Sequence, residues 1–366
     1  MLVSDYSYEL PDERIAKFPP EERGSTRLLV LDKKTGEVRD SFYRNLDEFL
    51  EPGDVIVLND TKVMKSRLRA ELPDGREREL VVLENHGDGS ERVMYRGKLH
   101  EGDELRVRKG NSRSAEGTDI EGRILEEVDT KETGLADNDG AGFYKIRVSK
   151  ILGGGIAEVE SETELSKIAE EVGEVPLPPY LTREATEADT KRYQTVWAKN
   201  MGSAAAPTAS LNMTEELIER LKRKGVIVKY LTLHVGLGTF LPIRTDKVEE
   251  HKMHSEWFSV PEDTIEAIQN AKAEGKRVFS VGTTVARTLE FYAKTGLREG
   301  EDDIFIYPGF EFRIVDGLLT NFHAPKSTVL MLAGAFAGWK NLERAYQHAL
   351  DEKYMFLSYG DSMLIF

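Results

Sequence analysis

The chain contains no cysteine among its 366 residues. Disulfides, thiolate zinc sites, cysteine nucleophiles and cysteine-held iron–sulfur clusters are therefore excluded. Aromatic residues are sparse at 8%, but they are spread along the chain, and 40% hydrophobic with 31% charged residues is a folded, water-facing composition. Basic residues are outnumbered, 50 Lys and Arg against 65 Asp and Glu, giving a net charge of −15. That argues against a non-specific nucleic-acid binder, which carries a basic footprint, yet a local basic groove can still grip phosphates. Long apolar runs are missing as well. The stretch 329–337 is among the longest, far short of the roughly 20 residues of a membrane span. The N-terminal residues lack the charged-then-apolar pattern of a signal peptide. No membrane span and a cytoplasmic location are expected.

What is present divides the chain into three parts. Residues 27–32 (RLLVLD) and 37–40 flank a Lys-Thr-Gly turn, and 54–58 (DVIVL) reads as a buried strand ending at Asn59-Asp60-Thr61. From 63 to 150 short β-type runs recur at 79–83, 92–95, 104–107, 122–125 and 143–148, separated by turn-rich pieces. Such spacing predicts a small antiparallel barrel or sandwich inserted into a larger domain. After 151 the pattern changes: 162–172 is a short amphipathic helix, and 175–180 (VPLPPY) is extended because prolines fix φ. Helix and strand then alternate. Thr214 caps a helix with acids in its first turn and bases in its last, and Gly225 stops it. Strands are expected at 226–234, 277–281 and 303–307, and helices from 261, 285, 326 and 341. This predicts an α/β fold, a mostly parallel sheet flanked by helices (1–62 and 151–366), with an inserted β-barrel domain (63–150). In such sheets the ligand sits outside the carboxyl ends of the strands.

Residues 202–256 concentrate the chemistry. Gly202, Ser203, Ala204 and Thr208 belong to a small-residue stretch (GSAAAPTAS) that lets backbone approach a ligand, with Asn212 just beyond. In LTLHVGLGTF, Gly236 and Gly238 form a concavity suited to a carboxylate or phosphate, followed by Thr239 and Phe240. His234, His251 and His254, with Glu256 close by, are candidates for proton transfer. A metal site is disfavoured, because no H-E-x-x-H pattern and no second carboxylate partner is visible. In SVGTTVARTLE a helix begins directly after a strand, an anion site to which Thr283 and Thr284 add hydroxyls and Arg287 a cation. In TNFHAPKST, Asn321 and His323 precede Lys326, Ser327 and Thr328 at a helix start, where a positive side chain is unfavourable unless it meets an anion. Asn59 and Asp60, and Asp361 in the tail, either hold a ligand or turn the chain.

Taken together, GSAAAPTA, TLHVGLGTF, EEHKMH, VGTT with RTLE, TNFHAPKST, the terminal GDSMLI and the N-terminal IAKFPPEER and LNDTKV resemble the motifs of the S-adenosylmethionine:tRNA ribosyltransferase-isomerase family of queuosine biosynthesis. The likeness runs through nearly the whole chain in order and is weakest in the proposed barrel. It implies that S-adenosylmethionine serves as ribosyl donor and co-substrate, with no prosthetic group and no metal. It implies as acceptor a tRNA carrying 7-aminomethyl-7-deazaguanine at the wobble position, with epoxyqueuosine-tRNA, adenine and methionine as products and a monomeric enzyme. A sulfonium acidifies the adjacent C5′ hydrogens, so a histidine base suffices. His234 or His254 is assigned to proton transfer, His323 with Lys326 to tRNA phosphate or ribose, and the Gly236–Gly238 turn to the methionine carboxylate or ribose. Arg67, Arg69, Arg96, Lys98, Arg106 and Arg108 are candidate tRNA contacts. The chain departs from the family where G-L-H-F-T becomes Ser210-Leu211-Asn212-Met213-Thr214, replacing a histidine by an amide that cannot titrate. Lys62, Lys65, Val285, Ala286 and Tyr95-Arg96-Gly97-Lys98 also differ from the usual motifs. The competing reading is a divergent paralogue that binds S-adenosylmethionine or RNA without this activity, or acts on another nucleoside.

Overall fold

A computed structural model describes residues 1–83, 90–109, 142–236, 243 and 245–366. In chain order the strands and helices are β1 (Arg27–Leu31), β2 (Val38–Phe42), β3 (Val55–Asn59), β4 (Thr61–Val63), β5 (Arg67–Glu71), β6 (Glu77–Val82), β7 (Glu91–Arg96), β8 (Glu104–Arg108), β9 (Phe143–Gly153), β10 (Ile156–Ser161), α1 (Leu165–Val172), α2 (Glu187–Arg192), β11 (Asn200–Ser203), α3 (Glu215–Lys224), β12 (Ile227–Leu233), β13 (Glu256–Ser259), α4 (Glu262–Ala273), β14 (Val278–Val281), α5 (Thr283–Thr295), β15 (Glu299–Asp302), β16 (Gly317–Asn321), α6 (Thr328–Ala337), α7 (Trp339–Asp351) and β17 (Ser362–Ile365). They form two compact units, Met1–Met64 with Leu177–Phe366, and Lys65–Pro176.

The first unit is built on a sheet of order β15-β13-β12-β3-β14-β16-β17-β1-β2. Its centre, β12-β3-β14-β16, is parallel, while both margins include antiparallel pairs. Central strands are apolar on both faces because both faces are covered. Val55 and Val57 of β3 join the core on one side, and Ile56 and Leu58 the core on the other. The same alternation splits Leu29 and Leu31 from Leu28 and Val30. The amphipathic α3 forms as its sequence dictates. Thr214 Oγ1 accepts the Leu217 N–H at 3.1 Å, and Gly225 ends the helix at φ 91°.

The second unit is a closed antiparallel barrel of order β10-β7-β6-β5-β8-β9. Leu68, Leu80, Val93, Leu105, Ile146 and Val148 fill it, alternating with charged outward residues. The boundary expected at 150 falls inside β9, and β10 and α1 belong to this unit, which extends to Pro176. The expected strand at 122–125 lies outside the described residues.

Three sequence expectations need correction. Residues 303–307 are not a strand; the ladder is made by β15, and Asp302 then accepts the Ile304 N–H at 2.9 Å, turning the chain away from the sheet. Residues 175–180 do not stay extended to their end, because Pro179–Leu181 is a 3-10 turn. Lys326 does not open a helix: it adopts φ 58°, its N–H donates to the Tyr6 carbonyl at 2.9 Å, and α6 starts after Ser327. Among the described residues no helix is long and apolar enough to cross a membrane.

Candidate active site

The carboxyl ends of β14 and β16 open into a cavity. Their register pairs Val281 with Leu319, so the exits to Gly282 and Thr320 lie about one strand spacing, ~4.8 Å, apart. Gly282 takes φ 95°, which a side chain disfavours, and turns the chain directly into α5. The cavity holds about 360 Å³ and is lined by residues 205–209, 282–284 and 320–327, with Tyr180, Val235, Ile243, Val329, Leu357 and Ser358. That volume lies in the ~300–1,000 Å³ range of small-molecule sites.

His323 lies in this wall. Its Nε2 and Thr320 Oγ1 are 2.8 Å apart, its N–H donates to Tyr346 Oη at 2.9 Å, and its carbonyl accepts from Tyr8 Oη. Burial pushes its pKa down to about 3, so the ring is neutral near pH 7. Asn321 is 2% exposed; its Nδ2 donates to the Asp361 carbonyl at 3.4 Å, and among the described residues its Oδ1 has no hydrogen-bond partner. Thr284 Oγ1 is likewise buried without a partner. Lys326 is exposed at the rim. Because it precedes the cap, its charge does not sit in the first turn of α6. Ser327 Oγ accepts the Leu330 N–H at 3.2 Å and so caps that helix. Thr328 lines a small void of about 20 Å³ together with Thr283, Thr284 and Arg287.

A second group of expected residues lies around the ends of β3 and β12. Asn59 Oδ1 accepts the N–H groups of Thr61 and Leu233, and its Nδ2 donates to the Leu233 carbonyl at 2.9 Å. Asp60 accepts from Thr232 Oγ1 at 2.6 Å and from Asn200 Nδ2 at 3.0 Å. His234 Nδ1 lies 2.8 Å from Thr61 Oγ1, and its ring stacks on Trp257 at 5.0 Å. A Cβ at Gly202 would fall 2.6 Å from His234 Nε2, so glycine there admits the ring. Burial lowers the His234 pKa, and the charge of Asp60 opposes the shift. Ser203 Oγ accepts the Val235 N–H at 2.9 Å, and the Ala204 N–H donates to the Val235 carbonyl at 3.0 Å.

Glu256, Arg287 and Asp302 form a buried ionic group. Glu256 accepts from Arg287 at 2.7 Å and from the Gly236 N–H at 2.8 Å. Arg287 also donates to the Asp302 carbonyl at 3.2 Å. Burial alone would lower the Arg287 pKa, but the charges of Glu256 and Asp302 outweigh it and raise the value. Asn212 is buried and donates to the Gly360 carbonyl at 3.3 Å, while Asp361 accepts the N–H groups of Arg27 and Met355, each at 2.7 Å.

The cavity thus gathers Thr208, Thr283, Thr284, Asn321, His323, Lys326 and Ser327. It does not include His234, Gly202, Ser203, Ala204, Asn212, Gly236, Glu256, Arg287, Asn59, Asp60 or Asp361 among its lining residues. His251 sits edge-on to Phe305 at 5.2 Å, with its pKa lowered by burial and then by His254, which is exposed. Gly238, Thr239 and Phe240 lie outside the described residues. Sequence reasoning missed Tyr180 as a lining residue; its Oη and Ser358 Oγ, from the tail, are hydrogen-bonded to each other. Tyr180 closes the proline run, a signal that marked backbone shape but not a site.

In the barrel unit, Arg67 and Arg96 lie 3.6 and 3.7 Å from Glu79, and Arg69 lies 3.0 Å from Glu174. Arg106 and Arg108 are exposed on β8, paired in register with Lys145 and Phe143 of β9, and Lys98 is exposed as well.

A cavity at the carboxyl ends of parallel strands, in a chain that carries an inserted antiparallel barrel, defines an α/β small-molecule site rather than a binding module built on the barrel alone. The sequence model of the queuosine biosynthesis protein family matches residues 3–365, and the chain belongs to that family. It is 50% identical over 373 residues to a protein of Chlorobaculum parvum and 49% identical over 374 residues to one of Pelodictyon phaeoclathratiforme, with all of each chain covered. A relative from Halothermothrix orenii is 44% identical over 370 residues, again with full coverage. All three are named S-adenosylmethionine:tRNA ribosyltransferase-isomerase. The crystal structure of an S-adenosylmethionine tRNA ribosyltransferase from Thermotoga maritima matches at a TM-score of 0.53 and 31% identity, covering 99% of this chain and 100% of that one. The chain is an enzyme of this family.

Proposed function

We propose that this enzyme transfers and isomerises the ribosyl unit of S-adenosylmethionine onto 7-aminomethyl-7-deazaguanine at the tRNA wobble position, giving epoxyqueuosine-tRNA, adenine and methionine. It acts as a cytoplasmic monomer. Full-length kinship to proteins named for this activity supports the reading. The observation that carries it in the fold is the 360 Å³ cavity lined by the family-like VGTT and TNFHAPKS segments.

The reaction needs a base near the C5′ hydrogens of the sulfonium and no enzyme nucleophile. A base must lie within hydrogen-bond reach of the proton it takes. His323 is the histidine among the described lining residues, so the cavity brings it within reach of a bound substrate. With Nε2 paired to Thr320 Oγ1, Nδ1 is the nitrogen assigned to take the proton. This revises the assignment from His234 or His254 to His323, and gives His234 the task of holding β4, β11 and β12 in place. Lys326, at the rim, meets a tRNA phosphate.

Incubation with S-adenosylmethionine and tRNA carrying 7-aminomethyl-7-deazaguanine should release adenine, and digested tRNA should contain epoxyqueuosine by mass spectrometry. Unmodified tRNA should give neither. No adenine release with the modified tRNA would overturn the proposal. His323→Ala should abolish release while S-adenosylmethionine still binds; retained release would return the role to another histidine.

A further inference from the structure

The cavity carries a pattern more specific than a generic small-molecule site. Helix α5 begins in its wall with no side-chain cap, because its N-cap is Gly282. The first N–H groups of a helix have no intrahelical acceptors, and the dipole makes that end favourable to anions. Thr284 adds a buried hydroxyl without a partner. One strand across, Asn321 lines the same cavity, 2% exposed, with its Nδ2 committed to the Asp361 carbonyl and its Oδ1 unmatched among the described residues. Other buried oxygens of the chain also lack a partner, but among the described residues those of Asn321 and Thr284 are the ones in the cavity wall, where a ligand can bring the missing donor. Among the described lining residues there is no Asp or Glu, and Lys326 is the one fully charged side chain.

A donor-seeking oxygen and an anion-seeking helix end, about one strand spacing apart, match the two ends of an α-amino-acid zwitterion. Phosphate fits less well, because it offers no donor to Asn321. We infer that this corner of the cavity recognises the α-amino-acid head of the sulfonium donor: the α5 N-terminus with Thr284 takes the carboxylate, and Asn321 Oδ1 takes the ammonium. This rests on the proposed use of S-adenosylmethionine. It moves the carboxylate from the Gly236–Gly238 turn to Thr283–Thr284. The Gly236 N–H is already engaged by Glu256 at 2.8 Å.

Two unreactive thioethers separate the possibilities. S-adenosylhomocysteine keeps the amino-acid head, and methylthioadenosine lacks it, while both keep adenine, ribose and an uncharged sulfur. Calorimetric titration of the full chain, with and without the modified tRNA, should show S-adenosylhomocysteine binding about ten- to hundredfold tighter, the range of one or two hydrogen bonds to charged groups. Asn321→Leu should bring the ratio towards one with methylthioadenosine affinity unchanged, which also reports that the variant is folded. Asn321→Asp keeps the acceptor and should keep the preference. A purely structural Asn321, donating to a carbonyl, would instead lose function on that change. Thr283→Pro removes an N–H at the first helical position, where proline is tolerated, and should also lower the ratio. Equal affinities in the unaltered protein, a ratio unmoved by both Asn321→Leu and Thr283→Pro, or loss of both ligands together would overturn the inference while leaving the proposed activity standing. Absence of adenine release would instead remove the activity, and the two thioethers would still test the corner by themselves.

Discussion

Two polar neighbourhoods at the carboxyl edge of the same sheet behave in opposite ways. Around the ends of β3 and β12, Asn59, Asp60 and Ser203 meet partners supplied by the chain itself. Around the ends of β14 and β16, Asn321 Oδ1 and Thr284 Oγ1 are buried and unmatched. Both neighbourhoods are rich in the residue types that suggest chemistry. What separates them is whether the hydrogen-bonding capacity is used up. Unmatched buried atoms occur elsewhere too, Arg287 Nε and Asp302 Oδ2 among them, but those of Thr284 and Asn321 belong to the cavity wall, where a ligand can complete them. On the proposed reading the first neighbourhood is a bracket and the second a receptor.

The sharpest way to break this comparison is through the ionic group of Glu256, Arg287 and Asp302. Arg287→Met should destabilise the protein by about 3–5 kcal/mol, because it leaves Glu256 and Asp302 buried without their counter-charge. Urea unfolding measures it, and a loss below about 1 kcal/mol would show that the group is not structural. Gly202→Ala should follow at about 3 kcal/mol, since the new Cβ meets His234 at 2.6 Å and must displace the ring. Unchanged stability there would mean that His234 is free to move, and the bracket would lose its histidine.

The receptor side is sharpened by pH. Burial pushes the His323 pKa down to about 3 in the folded protein, from 6.5 for an unperturbed ring. The unfolded chain binds the extra proton between those values, so stability falls as pH drops from about 6.5 towards 3. The neutral variant His323→Gln should lack that share of the slope. An identical slope in both proteins would show that His323 is not held neutral. The smallest effect belongs to Asn212→Ala, which removes one hydrogen bond to the Gly360 carbonyl and should cost about 1 kcal/mol. Adenine release by the folded variant should stay within about threefold. A hundredfold loss would put Asn212 in the chemistry.

Much of the fold was legible because local signals agreed. The run DVIVL forms β3, Thr214 and Gly225 bound α3, and the alternating charged runs close into a barrel. Segment 303–307 misled because its alternation reflects packing: Ile304 and Ile306 are buried while no ladder forms. Strands β16 and β17 went unnoticed because GLLTN and SMLI are too short to show a period. The site was legible as a set of segments, since VGTT and TNFHAPKS both reach the cavity. Its division into receptor and bracket was not. Asn59 finds its partner Leu233 174 positions away, and Tyr180 finds Ser358 178 positions away. Whether a polar side chain is satisfied depends on such distant partners, and no local pattern encodes them.

The most direct test of the receptor–bracket distinction is hydrogen–deuterium exchange with and without S-adenosylmethionine. Protection is expected at residues 282–287 and 320–327, with little change at 55–63 and 200–204. Protection concentrated around Thr61 and Gly202, with the β14 and β16 exits unchanged, would contradict the account.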